Sequence, residues 1–186
     1  SKYTEWKYEW EKIYLEGTKD FIFRNTFGDL NRVFEIMDEA DTKPELEAYD
    51  VGHLHSAALY FKNKRIREPV YVQFVMGILG GIAATIPHLV HMKETARSLF
   101  GDKIIFSTIA AGWRELPMGT TSLFLGGGVR VGLEDNLWLA PGEMATSNAQ
   151  LVEKMVRIAR EFGYEPYTPD ETRDVLGLKG RDRVNM

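Results

Sequence analysis

Strand-like segments that alternate with helical ones constrain the fold more than any other feature of this sequence. Strands are predicted at residues 44–50, 69–77, 103–112 and 129–135. Amphipathic helices are predicted in the segments GHLHSAALYFKN, PHLVHMKETARSLF and LVEKMVRIAREFG, which lie between or after these strands. Strands and helices that alternate in this way form a parallel sheet with right-handed crossover connections.

The side chains of the predicted strands distinguish two architectures that such a sheet allows. In a small doubly wound sheet both faces of each strand are covered, so the strands should be apolar throughout. Here each strand has one apolar face and one mixed face, and the mixed faces carry Glu45, Glu47, Tyr49, Tyr71, Gln73, Ser107, Arg130 and Glu134. Polar side chains that converge from successive parallel strands favour the lumen of an α/β fold of the (β/α)8 TIM-barrel type.

The number of strand–helix units predicts only part of such a barrel. A complete barrel has eight units and typically about 250 residues, whereas this chain of 186 residues supplies four. We therefore expect residues 1–186 to form a single domain, the carboxyl-terminal portion of a TIM barrel with about four βα units and terminal helices. Strands 44–50 and 129–135 should then lie at the two edges of the sheet.

Helices are also predicted at both ends of the chain. Residues at helical spacing mark the opening segment, namely Trp6, Trp10, Ile13 and Tyr14. The segment DLNRVFEIMDEA follows as a second helix. Near the other end, Ser147 and Gln150 form a capping-box pattern before LVEKMVRIAREFG, and Pro169 marks the first position of a short last helix.

Composition excludes several classes of function. A net charge of −4 without a basic stripe argues against nucleic acid binding, and the absence of cysteine excludes disulfides, thiolate metal sites and a cysteine nucleophile. The opening SKYTEWKYEW is unlike a signal peptide. The long apolar stretch 69–90 contains Gln73, three glycines and Pro87, so it does not predict a membrane span. We expect a cytoplasmic protein.

Charged residues fall near the carboxyl ends of the predicted strands, where barrel enzymes hold their catalytic groups. Glu47 lies near the end of the first strand, Glu134 and Asp135 end the fourth, and Arg130 shares a face with Glu134. An ion pair between Arg130 and Glu134 would account for both residues without any chemistry. Because buried charges need a partner or a metal, Glu134 could instead bind a metal while Arg130 holds an anionic substrate group.

Several long motifs resemble the beta-keto acid cleavage enzymes, the family that includes 3-keto-5-aminohexanoate cleavage enzyme. These motifs are NTFGDL, TKPELEAYDVGHL, QFVMGILGGI, HMKETARSLFG, GGGVRVGLEDN, SNAQLV and TPDETRDVLGLKG. From about Asn25 onward they follow the order and spacing of the family. The resemblance implies a zinc-dependent barrel enzyme that condenses a beta-keto acid with acetyl-CoA to give acetoacetate and a new acyl-CoA.

The resemblance also implies roles for individual residues. Glu134 matches the zinc-binding glutamate of the family, Asp135 its acid–base residue and Arg130 the arginine that orients the substrate. Glu47 matches a residue that contacts the substrate. The other zinc ligands of the family, an HxH pair on an early strand, have no counterpart in this chain. We therefore expect activity to need the amino-terminal half of the barrel.

The histidines that are present do not replace the HxH pair. His53 and His55 fall at the start of a predicted helix, where residues two apart point roughly 200° apart around the axis. His88 and His91 belong to a helix expected on the outside of the barrel. The glycines of GILGGI, residues 77–82, favour a tight strand-to-helix turn over a cradle for phosphate or pantetheine.

Two positions depart from the pattern of the family. The stretch IAAGWRELP stands where the family has a segment more like GAGRxQ, so that Trp113 replaces an arginine. Gly128 occupies a position often held by Asn or His. Contacts to the substrate or to CoA near these positions should therefore differ from those of the family.

Two other functions are compatible with the sequence. A metal-dependent aldolase or lyase on the same barrel would need zinc but no CoA. A non-catalytic barrel fragment or interaction module would instead cover its sheet edges with a partner half or a second copy. The exposed edges and the family resemblance both lead us to expect a homo-oligomer.

Overall fold

The structure, a computed structural model, describes residues 5–184 and gives only the backbone of Arg181. The chain divides into two compact units, one that extends to Ile36 and one that begins at Met37. The first residues of the predicted opening helix, 1–4, lie outside the described part of the chain. The single domain expected for residues 1–186 stays a prediction.

Helices and strands alternate through most of residues 5–184. The helices are α1 (Glu9–Gly17), α2 (Phe27–Glu39), α3 (Val51–Lys62), α4 (Ile86–Phe100), α5 (Glu115–Phe124), α6 (Asn148–Glu161) and α7 (Pro169–Leu176). The strands are β1 (Leu46–Ala48), β2 (Val70–Met76), β3 (Ile104–Ala110), β4 (Gly128–Val129), β5 (Trp138–Ala140) and β6 (Glu143–Met144).

The first unit contains α1 and most of α2. Trp6 precedes α1 instead of lying within it, so the helix begins later than the aromatic pattern predicts. Trp10, Ile13 and Tyr14 are exposed. The helical spacing of these residues therefore marks a real helix, but the apolar side chains on it are not buried within this unit.

Strands β1 to β4 form a parallel sheet in the order β1-β2-β3-β4. Among the described residues β1 and β4 lie at opposite edges and do not pair with each other, as predicted. The register aligns Glu47, Gln73, Ser107 and Gly128 across the four strands. The mixed α/β fold with a parallel sheet is therefore confirmed, whereas the half-barrel stays a prediction.

One face of this sheet forms the core. Val70, Val72, Phe74 and Met76 alternate along β2 and have no exposed surface. Phe74 stacks on Phe106 of β3 with ring centroids 5.1 Å apart. The helices add further fully buried side chains to the core, among them Leu54, Leu89, Met92 and Leu151. The apolar face of the sheet thus lies under the helices, and the mixed face is left for other contacts.

The fourth strand is shorter than predicted. It covers Gly128–Val129 instead of residues 129–135. The chain turns at Gly132, whose carbonyl accepts hydrogen bonds from the amides of Asp135 at 3.1 Å and Asn136 at 3.0 Å. The alternating valines and leucine of this segment predicted a longer strand, but the turn ends the pairing with β3 after two residues.

One helix and one β-hairpin have no counterpart in the sequence-based prediction. Helix α5 contains a proline, a glycine and three Ser or Thr residues, which are poor helix formers, yet it packs on β3 and β4. Strands β5 and β6 form a hairpin around Pro141 and Gly142, and Gly142 has a φ of +80°. Tertiary packing and turn chemistry therefore decide these segments.

The predicted starts of α6 and α7 are confirmed, but the predicted capping box at Ser147 is only half formed. The Ser147 hydroxyl accepts a hydrogen bond from the amide of Gln150 at the start of α6. The Gln150 side chain accepts from the amide of Thr146, one residue earlier than a reciprocal capping box requires. Helix α7 begins at Pro169, and Thr168 and Glu171 form a complete capping box there.

The apolar stretch 69–90 forms β2, a glycine-rich turn and the start of α4, as predicted. The amide of Gly77 donates to the carbonyl of Ile82 at 2.8 Å, and the amide of Ile82 donates to the carbonyl of Tyr49 at 2.7 Å. A Cβ atom on Gly81 would lie 2.9 Å from the Tyr49 carbonyl oxygen, so the close approach requires glycine. Within residues 5–184, no helix has both the length and the apolarity needed to cross a membrane.

We predict that Gly119→Ala destabilises the protein although alanine is the better helix former. A Cβ atom on Gly119 of α5 would lie 2.5 Å from Cγ1 of Val129, and this overpacking should cost about 1–3 kcal/mol. Gly52→Ala in α3 is the matched control, because its Cβ would meet nothing within 4 Å; we expect a neutral or stabilising effect of up to about 1 kcal/mol. Urea unfolding measures both, and equal effects would contradict the packing argument.

Candidate functional site

A cluster of charged side chains surrounds the guanidinium of Arg130, directly after β4. Its Nη1 donates to Glu47 Oε1 at 2.9 Å and to Gln73 Oε1 at 2.8 Å. Its Nη2 donates to Glu134 Oε2 at 2.7 Å, and its Nε donates to Asp135 Oδ2 at 3.1 Å. We call Arg130, Glu47, Gln73, Glu134 and Asp135 the Arg130 cluster. It joins the mixed faces of β1 and β2 to the segment that follows β4.

Gln73 connects the Arg130 cluster to the rest of the polar face. It is 4% exposed, and its Nε2 donates to Glu45 Oε1 at 2.8 Å and to Ser107 Oγ at 3.3 Å. The hydroxyl of Tyr71 also donates to Ser107 Oγ, at 3.3 Å. Because Gln73 Oε1 accepts from Arg130, both ends of this buried amide are satisfied. The polar face of the sheet is therefore one connected hydrogen-bond network.

Asp135 is the most enclosed carboxylate of the Arg130 cluster. Its side chain is 10% exposed, against 41% for Glu47 and 82% for Glu134. Burial raises the pKa of Asp135 above its usual value, and the negative charges of Glu134 and Glu47 raise it further. Arg130 lowers this pKa, but the net shift is upward. A carboxyl group whose pKa lies above the usual value is better suited to exchange a proton near neutral pH.

Tyr49 sets the position of Glu47. The Tyr49 hydroxyl donates to Glu47 Oε2 at 2.9 Å, while Glu47 Oε1 accepts from Arg130. Burial and the Glu47 carboxylate raise the pKa of Tyr49 to about 12, so the phenol keeps its proton and remains a donor. For Arg130, burial lowers the pKa, but Asp135, Glu134 and Glu47 outweigh it, and the net shift is upward. Arg130 therefore stays charged.

A second group of side chains holds the turn that carries Glu134 and Asp135. The carboxylate of Glu115, which is 1% exposed, accepts from the amide of Gly132 at 2.9 Å and from Asn136 Nδ2 at 3.3 Å. The side chain of Asn148 accepts from the amide of Leu133 at 2.8 Å. The amide of Gly112 donates to the carbonyl of Asp135 at 2.7 Å. The loops that follow β3 and β4 are thus tied together.

The structure brings together all four residues singled out from the sequence, Glu47, Arg130, Glu134 and Asp135. Their catalytic and binding roles stay predictions. Sequence reasoning missed Glu115, which lies in a helix that was not predicted. Its one signal in the sequence was its place in IAAGWRELP, the stretch expected to depart from the family pattern.

The four histidines lie on helices α3 and α4. His53 and His55 lie in the first turns of α3, and His53 Nδ1 accepts from the amide of Tyr49 at 3.0 Å. His88 and His91 lie on α4 and are exposed. Within the described residues, no group of three or more His, Cys, Asp or Glu side chains could hold a metal ion.

A groove of about 930 Å³ runs beside β4 and adjoins the Arg130 cluster. Mostly apolar side chains from β3, α6 and α7 form its walls, and Arg130 and Tyr71 are among its lining residues. Glu47, Glu134 and Asp135 are not part of that lining. Of the Arg130 cluster, the groove is therefore lined by Arg130 alone.

We predict that Arg130→Met leaves three carboxylates facing one another. The pKa of Asp135, which Arg130 lowers, should rise further, and the free energy of unfolding at neutral pH should fall by roughly 1–3 kcal/mol. NMR titration of the Asp135 carboxyl carbon and urea unfolding measure these effects. Arg160→Met, which removes an exposed pair with Glu165, is the control and should cost less than about 1 kcal/mol. An unchanged Asp135 pKa in Arg130→Met would contradict this account.

A family model and individual known proteins both match this chain. A family model described as beta-keto acid cleavage enzyme matches residues 5–178. The chain is 37% identical over 185 residues to 3,5-dioxohexanoate:acetyl-CoA acetone transferase of Paraburkholderia graminis, a match that covers 100% of this chain and 60% of that protein. It is 38% identical over 159 residues to 3-keto-5-aminohexanoate cleavage enzyme of Acetoanaerobium sticklandii, covering 86% and 57%.

Among solved structures, the chain superposes on the apo structure of ObcA with a TM-score of 0.70 and 22% sequence identity. That match covers 83% of this chain and 40% of ObcA. At this level of identity the likeness concerns the fold alone. The chain spans 60% and 57% of the lengths of the two curated relatives named above. The family match and these identities show that the chain belongs to the beta-keto acid cleavage enzyme family.

Proposed function

We propose that the chain carries part of the active site of an enzyme that condenses a beta-keto acid with acetyl-CoA, giving acetoacetate and a new acyl-CoA. The observation that carries this proposal is the Arg130 cluster, in which one guanidinium and three carboxylates meet at the polar face of the sheet. The names of the relatives support the reaction class, since three include acetyl-CoA as co-substrate.

Arg130 is the residue proposed to orient the substrate. A beta-keto acid has a carboxylate, and the N–H groups of a guanidinium donate charge-assisted hydrogen bonds to carboxylate oxygens. The Arg130 side chain is 29% exposed, and its Nη2 partner Glu134 is 82% exposed. The substrate carboxylate can therefore replace Glu134 on Arg130 at little desolvation cost, while Gln73 and Asp135 keep the guanidinium in place.

Asp135 is the residue proposed to transfer protons. Its burial raises its pKa, and its hydrogen bond to Arg130 Nε fixes its carboxylate beside the proposed substrate position. Glu47, held between Tyr49 and Arg130, is proposed to contact the substrate on the other side of the guanidinium. Asp135 is the more buried of these two carboxylates, which suits proton transfer, and Glu47 is the more exposed, which suits substrate binding.

We also propose that Glu134 serves as one ligand of a catalytic Zn²⁺ ion. A catalytic zinc site generally has three protein ligands, and the described residues do not complete such a set. Zinc binding would therefore need ligands beyond residues 5–184, and the roles given above to Arg130, Asp135 and Glu47 do not depend on the ion.

A curved, barrel-like sheet accounts for the geometry of the Arg130 cluster. In a flat sheet, strands at the positions of β1 and β4 would lie about 14 Å apart. Glu47 on β1 nevertheless hydrogen-bonds to Arg130, which follows β4. Curvature with the polar face inward brings such side chains together, which supports the proposal that these strands form half of a TIM-barrel wall. We also propose that the complete protein forms a homo-oligomer and acts in the cytoplasm.

We predict that this chain, purified alone, binds no stoichiometric zinc. The reason is that Glu134 offers a single carboxylate and the described residues contain no set of ligands around it. Metal analysis after dialysis against a buffer that contains zinc gives the measurement. One tightly bound zinc ion per chain, lost in Glu134→Gln, would overturn the expectation that further ligands are required.

A chimera tests the proposed reaction directly. These 186 residues would replace the matching part of the Paraburkholderia graminis transferase, and acetoacetate formation would be measured with acetyl-CoA and a panel of beta-keto acids. The panel contains 3,5-dioxohexanoate, 3-keto-5-aminohexanoate, 3-dehydrocarnitine and 3-oxoadipate, after the names of the relatives. A folded chimera without activity on any of them would count against the proposal.

In the active chimera, we predict that Asp135→Asn lowers kcat by about 10²–10⁴-fold, because proton transfer is lost while the size of the side chain is kept. Asp174→Asn on the exposed side of α7 is the matched control and should leave kcat unchanged. Turnover by Asp135→Asn at the rate of the control would show that Asp135 is a structural acid.

A further inference from the structure

Among the described side chains, no cationic group forms an ion pair with the buried carboxylate of Glu115. The residue is 1% exposed, and burial raises its pKa. Its two hydrogen-bond donors are the amide of Gly132 at 2.9 Å and Asn136 Nδ2 at 3.3 Å. Burying a carboxylate in this way is costly unless hydrogen bonds offset the loss of water, so these two contacts are what keeps Glu115 in place.

Both donors belong to the turn that carries Glu134 and Asp135. The carbonyl of Gly132 closes this turn by accepting from the amides of Asp135 and Asn136. Glu115 therefore holds Gly132 and Asn136, which lie on either side of Glu134 and Asp135. The turn cannot shift along α5 without breaking both bonds to the carboxylate.

Asn136 has one side-chain orientation that satisfies its neighbours. Its Oδ1 accepts from the amide of Trp138 at 3.0 Å, and its Nδ2 donates to the carbonyl of Trp138 at 2.8 Å. The remaining hydrogen of Nδ2 is then directed to Glu115 Oε1. A side chain that can only donate could not replace the carboxylate at this position.

We propose that Glu115 is a positioning residue for the Arg130 cluster, and that its carboxylate fixes the turn so that Asp135 reaches Arg130 Nε. This inference rests on the proposed function for its consequence in catalysis. The arrangement that it describes can be measured without any activity.

The test uses NMR of the 186-residue chain and three variants, Glu115→Ala, Glu115→Gln and Met118→Ala. Two signals report on positioning: hydrogen exchange of the Gly132 amide, and protection of the Arg130 Nε–H that donates to Asp135. Met118 is 4% exposed and lies one turn further along α5, so its truncation controls for a general loss of packing.

In Glu115→Ala, the Gly132 amide should exchange roughly tenfold faster or more, because its buried acceptor is gone. The Arg130 Nε–H signal should lose its protection, while the amides of β2 and β3 change less. In Met118→Ala, any acceleration should be uniform across the slowly exchanging amides, and Arg130 Nε–H should stay protected relative to them.

Glu115→Gln distinguishes the carboxylate geometry from the charge. Its Oε1 can accept from Gly132, whereas its Nε2 would face the donor Asn136, so Gly132 protection should be largely retained and Asn136 Nδ2 should lose its contact. Two results would overturn the proposal: Glu115→Ala and Met118→Ala with the same uniform pattern, or Arg130 Nε–H that remains protected in Glu115→Ala. Neither result depends on whether the chimera is active.

Discussion

The hydrogen bonds of the Arg130 guanidinium are the interactions on which the rest of the site depends. The guanidinium binds three carboxylates and the buried Gln73, so four acceptors from three parts of the chain share one cation. Without it, the carboxylates of Glu47, Glu134 and Asp135 would repel one another. The apolar face of the sheet supplies the stability that keeps these charges close, and the polar face gives them a common partner.

The sequence predicted the sheet better than the turn beside it. Strand β2 is apolar on the face that carries Val72 and Phe74, and its position follows from this pattern alone. The segment after Val129 alternates just as well, yet it leaves the sheet, and the amide of Gly132 donates instead to Glu115, seventeen residues earlier in the chain. Local patterns cannot indicate such a contact.

The site residues were predictable for a related reason. Glu47, Glu134 and Asp135 fall near the ends of the strands predicted from the sequence, and Arg130 lies within a long motif of the family, so position and motif agree. Glu115 had no such support, because helix α5 has weak helical propensity and forms through packing on β3 and β4. The residues of the Arg130 cluster were thus easier to find from the sequence than Glu115, which contacts the turn beside them.

The bond between Glu47 and Arg130 joins residues 83 positions apart and connects the two edge strands. Closing so long a loop carries an entropic cost that the neighbouring strands must offset first. Strands β2 and β3, which lie between these edges, therefore set the separation across which the Arg130 cluster forms. Edge strands are also among the first elements to open in a folded protein. The integrity of this cluster is thus a local indicator of whether the whole width of the sheet is formed.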